Sequence, residues 1–361
     1  MDKGLIVVKV GTSSLTLENG DISVERIEKV VEKVTRLKEV GRDVILVSSG
    51  SIAAGFRRLG WTKRPCGIAE KQASAAVGQG LLMEEYTRMF MERGIISAQI
   101  LLTRDDFRDH RRYKNAFRTL EVILKRGAIP IINENDTVSI DELRLGDNDM
   151  LGAQVAAMMH ASMLVMLTDM DGLYTSDPRE NKDAVRIERV EKITPEIMEL
   201  GGGAGTNNGT GGMATKLRAA RLATSAGVPV VVCSSADDTA LDRLESGGSA
   251  GTYFAASETE MRTRLQWMAF YAEPTGNIYI DEGAAEALLS GKSLLPPGIS
   301  AAEGDFRDGD IVRVYLRGSN SVLGRGRINM NRSELKELMG IRRCDARGVT
   351  AINHENFVEE R

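Results

Sequence analysis

The feature that most constrains the fold of this chain is a regular alternation of short apolar runs with amphipathic stretches. The runs are rich in β-branched residues and have the length of strands, whereas the stretches repeat apolar residues at i, i+3 and i+4, as in residues 24–37. Strands separated by helices predict an α/β fold, a three-layer sandwich with a mainly parallel central sheet. The predicted strands are 5–10, 43–47, 98–102, 128–132, 163–167 and 228–232, and the predicted helices are 24–37, 69–93, 113–126, 151–160 and 215–226.

The pattern changes near residue 257. Residues 258–264 are rich in charge and lead into Ala272-Glu273-Pro274-Thr275-Gly276, which is typical of a linker. Beyond it, short strand-like runs at 277–280, 311–316 and 322–328 alternate with turn signals. We therefore expect a large domain over residues 1–256, a linker over 257–274 and a small β-rich domain over 275–353.

Composition excludes several classes of protein. The chain has 42% hydrophobic and 27% charged residues and a formal net charge of -4, so it is not a globally basic nucleic-acid binder. Three cysteines without a CxxC pair, and three histidines, indicate neither a disulfide framework nor a metal centre of the protein's own. The N-terminal apolar run at 5–8 is too short for a signal peptide, so we expect a cytoplasmic protein.

One stretch reaches the length of a membrane span. Residues 150–168 contain no Asp, Glu, Lys or Arg. Gln154, His160 and Ser162 interrupt the stretch, and Asp169 follows it. We interpret it as a helix, a turn and a buried strand, and we expect no membrane partner.

Two polar segments follow the first two predicted strands, at the edge of the sheet where ligands collect. Lys9-Val10-Gly11-Thr12-Ser13 could hold a polyphosphate through one ammonium group and backbone N–H groups, although an ordinary turn has the same composition. Ser48-Ser49-Gly50-Ser51 would let a ligand approach the backbone, and it could equally be a simple helix N-cap.

Two clusters of acidic and amide residues could bind a zwitterion. They are Asn133-Glu134-Asn135-Asp136 and Gly146-Asp147-Asn148-Asp149. Carboxylates suit an ammonium group and amides suit a carboxylate, while a solvated turn is the alternative. The segment 137–145 between the clusters is predicted to be a surface hairpin that returns them to one place.

A glycine-rich segment, residues 201–212, precedes a helix that carries Lys216 in its first turn. A flexible backbone, a helix N-terminus and a lysine suit the phosphates of ATP, although flexible linkers share this composition. Two better-known phosphate motifs fail: Gly291-Lys292-Ser293 has Glu286 where a P-loop requires glycine, and no strand runs directly into Gly209-Thr210-Gly211-Gly212.

Taken together and in order, these segments resemble the amino acid kinase superfamily and, within it, the glutamate 5-kinase family. The matching stretches are VKVGTSSL, VSSGSIAAG, INENDTVS, GDNDMLGA, LTDMDGLYTSDPR and GTGGMATK. Ser51 departs from the alanine that is usual in that family. The tail, FRDGDIVRVYLRGSNSVLGRGRINMNRSEL, resembles a PUA domain and is expected to form a small pseudo-barrel.

The resemblance implies a role for particular residues. Ser49, Asp136 and Asn148 fall at glutamate-binding positions, and Gly50 would donate its backbone N–H there. The positions that the resemblance implies for ATP are Lys9, Gly11, Thr168, Asp169, Thr210, Gly211, Gly212, Met213, Ala214, Thr215 and Lys216.

The implied reaction transfers the γ-phosphoryl group of ATP, with Mg²⁺, to the side-chain carboxylate of L-glutamate, the first step of proline biosynthesis. Lys9 and Lys216 would neutralise the transferring group and Asp149 would orient them. Feedback inhibition by proline, near residues 137–145, and a homo-oligomer are also implied.

Two alternatives stay open: another small acid as acceptor, such as aspartate or acetylglutamate, or RNA binding through residues 275–353. The RNA alternative rests on the stretch 313–347, which has nine basic and three acidic residues.

Overall fold

The computed structural model describes residues 4–17, 19–139, 148–202, 212–257, 267–268, 271–319, 321–339 and 349–359. By its contacts the chain divides into two compact units. The first is Met1–Asp106 with Tyr113–Glu260, and the second is Phe107–Arg112 with Met261–Arg361. The domain limits predicted from the sequence stay a proposal.

The first unit is organised around an eight-stranded sheet in the order β3-β4-β2-β1-β5-β9-β10-β8. All neighbours in it pair in parallel except β9 and β10. A separate antiparallel pair joins β6 to β7. The strands are β1 (Leu5–Val10), β2 (Asp43–Ser48), β3 (Ser97–Leu102), β4 (Ile129–Glu134), β5 (Met163–Thr168), β6 (Leu173–Tyr174), β7 (Arg186–Ile187), β8 (Arg189–Val190), β9 (Val230–Ser234) and β10 (Thr252–Phe254).

Helices cover both faces of this sheet. On one face, apolar residues of α2, α4 and α10 belong to one core cluster with alternate residues of β1, such as Ile6, Val8 and Val10. On the other face, α7 packs against β1 and β5 and is itself covered by α9. The helices are α1 (Thr12–Leu15), α2 (Val24–Glu39), α3 (Ser51–Gly55), α4 (Ile68–Glu92), α5 (Arg104–Arg108), α6 (His110–Lys125), α7 (Asn148–Met158), α8 (Pro195–Glu199), α9 (Met213–Ser225) and α10 (Ala240–Glu245).

The mainly parallel α/β sandwich predicted from the sequence is thus confirmed. The six predicted strands correspond to β1–β5 and β9, with small shifts at their ends. For example, β9 begins at Val230 because the Val228 N–H donates to Ala223 O at 2.9 Å and Pro229 has no N–H to donate. The short strands β6, β7, β8 and β10 were not predicted, since two or three residues carry no detectable period.

The second unit contains a five-stranded mixed sheet in the order β12-β11-β13-β14-β15. Its core is apolar and includes Ile278, Val312, Val314 and Leu335. The prediction of a β-rich tail is therefore confirmed. Its elements are β11 (Gly276–Ile280), α11 (Glu282–Leu289), β12 (Ile299–Gly304), β13 (Ile311–Leu316), β14 (Val322–Arg327), α12 (Arg332–Leu338) and β15 (Phe357–Glu359).

A short segment early in the chain belongs to the second unit. The indole of Trp267 donates to the carbonyl of Phe107 at 2.9 Å, and its ring meets His110 edge-on at 4.8 Å. Arg108 forms an ion pair with Glu273 at 2.5 Å. The helix predicted over residues 113–126 begins at His110 in the structure, and the sequence did not indicate these contacts.

Among the described residues, no helix is long and apolar enough to cross a membrane.

Candidate active site

A buried cluster of two lysines and one aspartate lies at the carboxyl end of β1. We call Lys9, Asp149 and Lys216 the charge cluster; their exposed fractions are 5%, 1% and 7%. Lys9 forms an ion pair with Oδ1 of Asp149, and Lys216 Nζ lies 3.2 Å from Oδ2. The Thr215 hydroxyl donates to the same Oδ2 at 3.1 Å. Three elements, β1, α7 and α9, therefore meet at one carboxylate.

The charge cluster carries one net positive charge. Burial by itself raises the pKa of the Asp149 carboxyl, but the adjacent Lys9 and Lys216 ammonium groups outweigh burial and hold the pKa below its usual value. Asp149 is therefore ionised at neutral pH. Two buried cations with one anion between them are suited to a further anion, such as a phosphoryl group.

A glycine fixes the path of the Lys9 side chain. A Cβ at Gly152 would lie 3.2 Å from both Cβ and Cγ of Lys9, tighter than ordinary van der Waals contact. The absence of that Cβ lets α7 lie directly against the lysine of β1. Asp149, one turn earlier on α7, then reaches the Lys9 ammonium group.

A small cavity of about 50 Å³ lies at the carboxyl ends of β2 and β4. We call it the acceptor cavity. It adjoins the charge cluster, because Asn148 in its lining is next in the chain to Asp149 of the cluster. Its walls combine hydroxyl, amide and carboxylate groups, which suit a polar zwitterion. The residues that line it include Ser49, Gly50, Asn133, Glu134, Asp136 and Asn148.

Buried amides join the walls of the acceptor cavity. The Asn148 amide donates to Ser48 O at 2.7 Å, Ser49 Oγ at 3.0 Å and Asn133 Oδ1 at 2.8 Å. The Asn133 amide in turn donates to Gln79 Oε1 at 2.8 Å. The carboxyl ends of β2, β4 and the start of α7 are held together in this way.

The start of α3 forms the other wall. Gly50 precedes it with φ of 105°, a left-handed conformation that favours glycine. The Ser51 hydroxyl donates to Asp136 Oδ2 at 2.8 Å. In the sequence, Ser51 was noted only because related proteins usually have alanine there. In the structure its hydroxyl orients Asp136, a predicted substrate-binding residue.

Two glycines let α3 lie against α4. A Cβ at Gly55 would fall 1.9 Å from Ser74 O, and one at Gly78 would fall 1.8 Å from Ser51 O. Such distances are impossible for real atoms, so any other residue would separate the two helices. The position of the α3 wall therefore depends on this crossing.

Other predicted nucleotide residues lie on β5 and α9, and β5 is on the side of β1 opposite to β2. Thr168 ends β5, and its hydroxyl donates to Asp169 Oδ1 at 2.9 Å. Helix α9 begins at Met213 with Gly212 as its N-cap, so Met213, Ala214, Thr215 and Lys216 form its first turn. The N-terminus of a helix of this length is suited to phosphate. Thr210 and Gly211 lie outside the described residues, as does most of the predicted hairpin at 137–145.

The structure brings most predicted site residues together and changes the interpretation of one. The Gly11 N–H, predicted to contact phosphate, donates to Leu167 O at 3.3 Å instead. Sequence reasoning also missed Arg64, which lines the acceptor cavity, and Gln79, which accepts a hydrogen bond from the lining residue Asn133. Gln79 lies within a long helix and Arg64 in an irregular segment, where neither follows a strand.

Comparison with known proteins identifies the family of this chain. The model of the amino acid kinase family matches residues 4–234. This chain belongs to the amino acid kinase family. Membership implies that ATP is its phosphoryl donor. The PUA domain model matches residues 276–349.

Full-length relatives are similar over nearly the whole chain. The glutamate 5-kinase of Streptococcus sanguinis is 56% identical over 92% of this chain and 91% of its own length. That of Streptococcus pneumoniae strain 70585 is 55% identical over 95% of this chain and 93% of its own. A solved structure of UMP kinase from Bacillus anthracis has a TM-score of 0.48 at 15% identity and covers 70% of this chain and 95% of that chain, a likeness too slight to bear on function.

Proposed function

We propose that this chain is a glutamate 5-kinase, which transfers the γ-phosphoryl group of ATP to the side-chain carboxylate of L-glutamate. The observation that carries the proposal is the charge cluster, which lies between a polar cavity and a helix N-terminus. The high identity to relatives with that name supports the same reaction.

Glutamate is held in the acceptor cavity by groups of opposite charge and by hydrogen-bond donors. The Asp136 carboxylate binds the ammonium group of the substrate. Ser49 Oγ accepts a hydrogen bond from Asn148, so the hydroxyl hydrogen of Ser49 can be donated to a carboxylate. The backbone N–H of Gly50 supplies a second donor at the same wall.

Phosphoryl transfer requires no strong general base. The γ-carboxylate of glutamate is already ionised at neutral pH, and one of its oxygens attacks the γ-phosphorus as the bond to the ADP oxygen breaks. Lys9 and Lys216 stabilise the charge on the transferring group. Asp149, whose pKa is lowered, stays ionised and holds the two ammonium groups in position.

ATP lies on the side of α9, with its phosphates at the N-terminus of that helix and at Lys216. Thr168 and Asp169 contribute to the same side of the site, and the ATP-binding roles predicted for Thr210 and Gly211, outside the described residues, belong to the same proposal. Among the described residues no group of three His, Cys, Asp or Glu side chains could hold a metal ion. Mg²⁺ would be held mainly by phosphate oxygens and water, and it would neutralise phosphate charge.

An ADP-release assay across acceptors tests the proposal. We expect ATP turnover that depends on L-glutamate and is at least a hundredfold slower, in kcat/KM, with L-aspartate, N-acetyl-L-glutamate or UMP. A higher kcat/KM with any of these three than with L-glutamate would show that the chain uses a different acceptor. Mass spectrometry of the product trapped with hydroxylamine distinguishes an acyl phosphate from ATP hydrolysis.

Three further properties belong to the same proposal. The chain acts at the first step of proline biosynthesis in the cytoplasm, it forms a homo-oligomer, and proline inhibits it by competing for the acceptor cavity. Proline should raise the apparent KM for glutamate without lowering kcat. Light scattering at several concentrations measures the oligomer directly.

RNA binding through residues 275–353 stays a second, weaker candidate. Tyr279 and Tyr315 stack at 5.3 Å on neighbouring strands, a possible platform for a base. Two arginines of β14 are already used, however: Arg325 donates to Ala272 O and Arg327 to Gly309 O. A shift of labelled RNA by the full chain at low salt, lost at high salt, would support this activity.

A further inference from the structure

One arginine lines the acceptor cavity, and no sequence motif indicated it. Arg64 contributes to the wall that also contains Asp136 and Asn148. Glu134 and Asp136 are the acidic residues of that lining and Arg64 is its basic residue. The charges of the cavity thus match those of an α-amino acid: carboxylates for the ammonium group, and a guanidinium group for a carboxylate.

The surroundings of Arg64 leave its guanidinium group available. Among the described residues it makes no hydrogen bond or ion pair, and it is exposed. Its backbone, by contrast, is anchored: the next residue, Pro65, is buried, and the Gly67 N–H donates to Glu70 Oε2 at 3.3 Å at the start of α4. An anchored backbone with an unpaired cation is suited to binding an incoming anion.

The geometry of the reaction determines which of the two carboxylates of glutamate Arg64 can bind. The γ-carboxylate must reach the charge cluster, next to Asn148, for transfer to occur. The α-carboxylate is then the anionic group that needs another cation. Asp136 and Glu134 would repel it, whereas Arg64 can bind it through two parallel hydrogen bonds.

We propose that Arg64 binds the α-carboxylate of glutamate and thereby selects acceptors that carry a free carboxylate at that position. This proposal rests on the proposed function. It makes Arg64 a specificity-determining residue that acts on binding rather than on phosphoryl transfer.

A neighbouring lysine provides a matched control. A second cavity of about 240 Å³ shares Thr12, Ala53 and Arg64 with the acceptor cavity. Lys63 lines this second cavity but not the acceptor cavity. Lys63→Met therefore removes one adjacent, exposed positive charge without removing a group from the acceptor cavity.

The test compares two acceptors that differ only at the α-carboxylate. L-Glutamate has it, and L-isoglutamine carries an amide there with the same γ-carboxylate. For Arg64→Met we expect the glutamate KM to rise about tenfold, with kcat and the ATP KM within about twofold of the wild type. The kcat/KM of Arg64→Met for L-isoglutamine should stay within about twofold of the wild type. Lys63→Met should leave kcat/KM unchanged with both acceptors.

Several outcomes would overturn the proposal. An equal loss of kcat/KM with both acceptors in Arg64→Met would mean that Arg64 shapes the cavity without binding the α-carboxylate. An unchanged kcat/KM with glutamate would mean that Arg64 does not bind glutamate. Arg64→Lys should recover part of the glutamate affinity, since a positive charge is restored. A wild-type chain without glutamate-dependent ADP release would instead refute the proposed function itself.

Discussion

The charge cluster and the acceptor cavity lie next to each other but are built differently. The cluster has three buried charges, from Lys9, Asp149 and Lys216, bonded to one another. The walls of the cavity combine charged side chains with neutral groups, and the amides of Asn148 and Asn133 join them. Fixed charges act most strongly where charge develops during transfer, whereas amides and hydroxyls position a ligand in its ground state. Substitutions in the two regions should therefore separate kcat from KM.

Loss of Lys216 should have the largest effect. For Lys216→Ala we expect kcat to fall about a thousandfold, because a buried ammonium group that stabilises the transferring phosphoryl group is lost. The glutamate KM should change less than threefold. Steady-state kinetics with both substrates varied measures the two effects separately.

Arg218 provides the control for this variant, since it lies on the same helix but is exposed. Arg218→Ala should retain wild-type kcat. If Lys216→Ala raised the glutamate KM and left kcat unchanged, the division of labour between the cluster and the cavity would be wrong.

Loss of the carboxylate should instead affect folding. In Asp149→Asn two buried ammonium groups lose their shared anion, so the free energy of unfolding should fall by about 3 kcal/mol at pH 7. Urea denaturation measures this change. An unchanged free energy would indicate that Lys9 and Lys216 do not depend on Asp149 for their burial.

The pH dependence of that loss has a defined sign. The folded pKa of Asp149 lies below the usual 3.8 of the unfolded chain. Its contribution to stability is therefore fully present above the unfolded value and is lost as the pH falls through the folded value. The difference in stability between the wild type and Asp149→Asn should narrow as the pH is lowered below about 4.

Two glycines of α4, Gly78 and Gly80, should change the stability of the protein in opposite directions when each is replaced by alanine. Gly78→Ala places a Cβ 1.8 Å from Ser51 O, so we expect a loss of about 2 kcal/mol in the free energy of unfolding and a raised glutamate KM. At Gly80, on the same helix, a Cβ would have no neighbour within 4 Å. Gly80→Ala should therefore stabilise the protein by about 0.5 kcal/mol. Thermal and urea unfolding of both variants would show whether the changes in the free energy of unfolding have opposite signs. Equal changes for Gly78→Ala and Gly80→Ala would exclude the close contact at Gly78.

The two regions also differ in how well the sequence predicted them. The cluster was predicted because Lys9, Asp149 and Lys216 follow strands or open helices, positions that a parallel sheet brings to one edge. The cavity was predicted only in part. Gln79, in the middle of α4, accepts a hydrogen bond from the lining residue Asn133, and Arg64 lies in a segment without a period. Both depend on how helices pack, which a local sequence pattern does not encode.

A hydroxyl group at the edge of the cavity should give the smallest effect. Ser51 donates to Asp136 Oδ2, and that bond contributes to holding the carboxylate in one orientation. Ser51→Ala removes the bond without adding volume, so we expect the glutamate KM to rise about threefold, in line with one hydrogen bond to a charged group. The value of kcat should not change, because Ser51 does not contact the charge cluster. Ser51→Thr, which keeps the hydroxyl, should retain the lower KM. Equal KM values for the wild type and Ser51→Ala would mean that Asp136 is oriented by other contacts, and a fall in kcat would mean that the two regions are not separate.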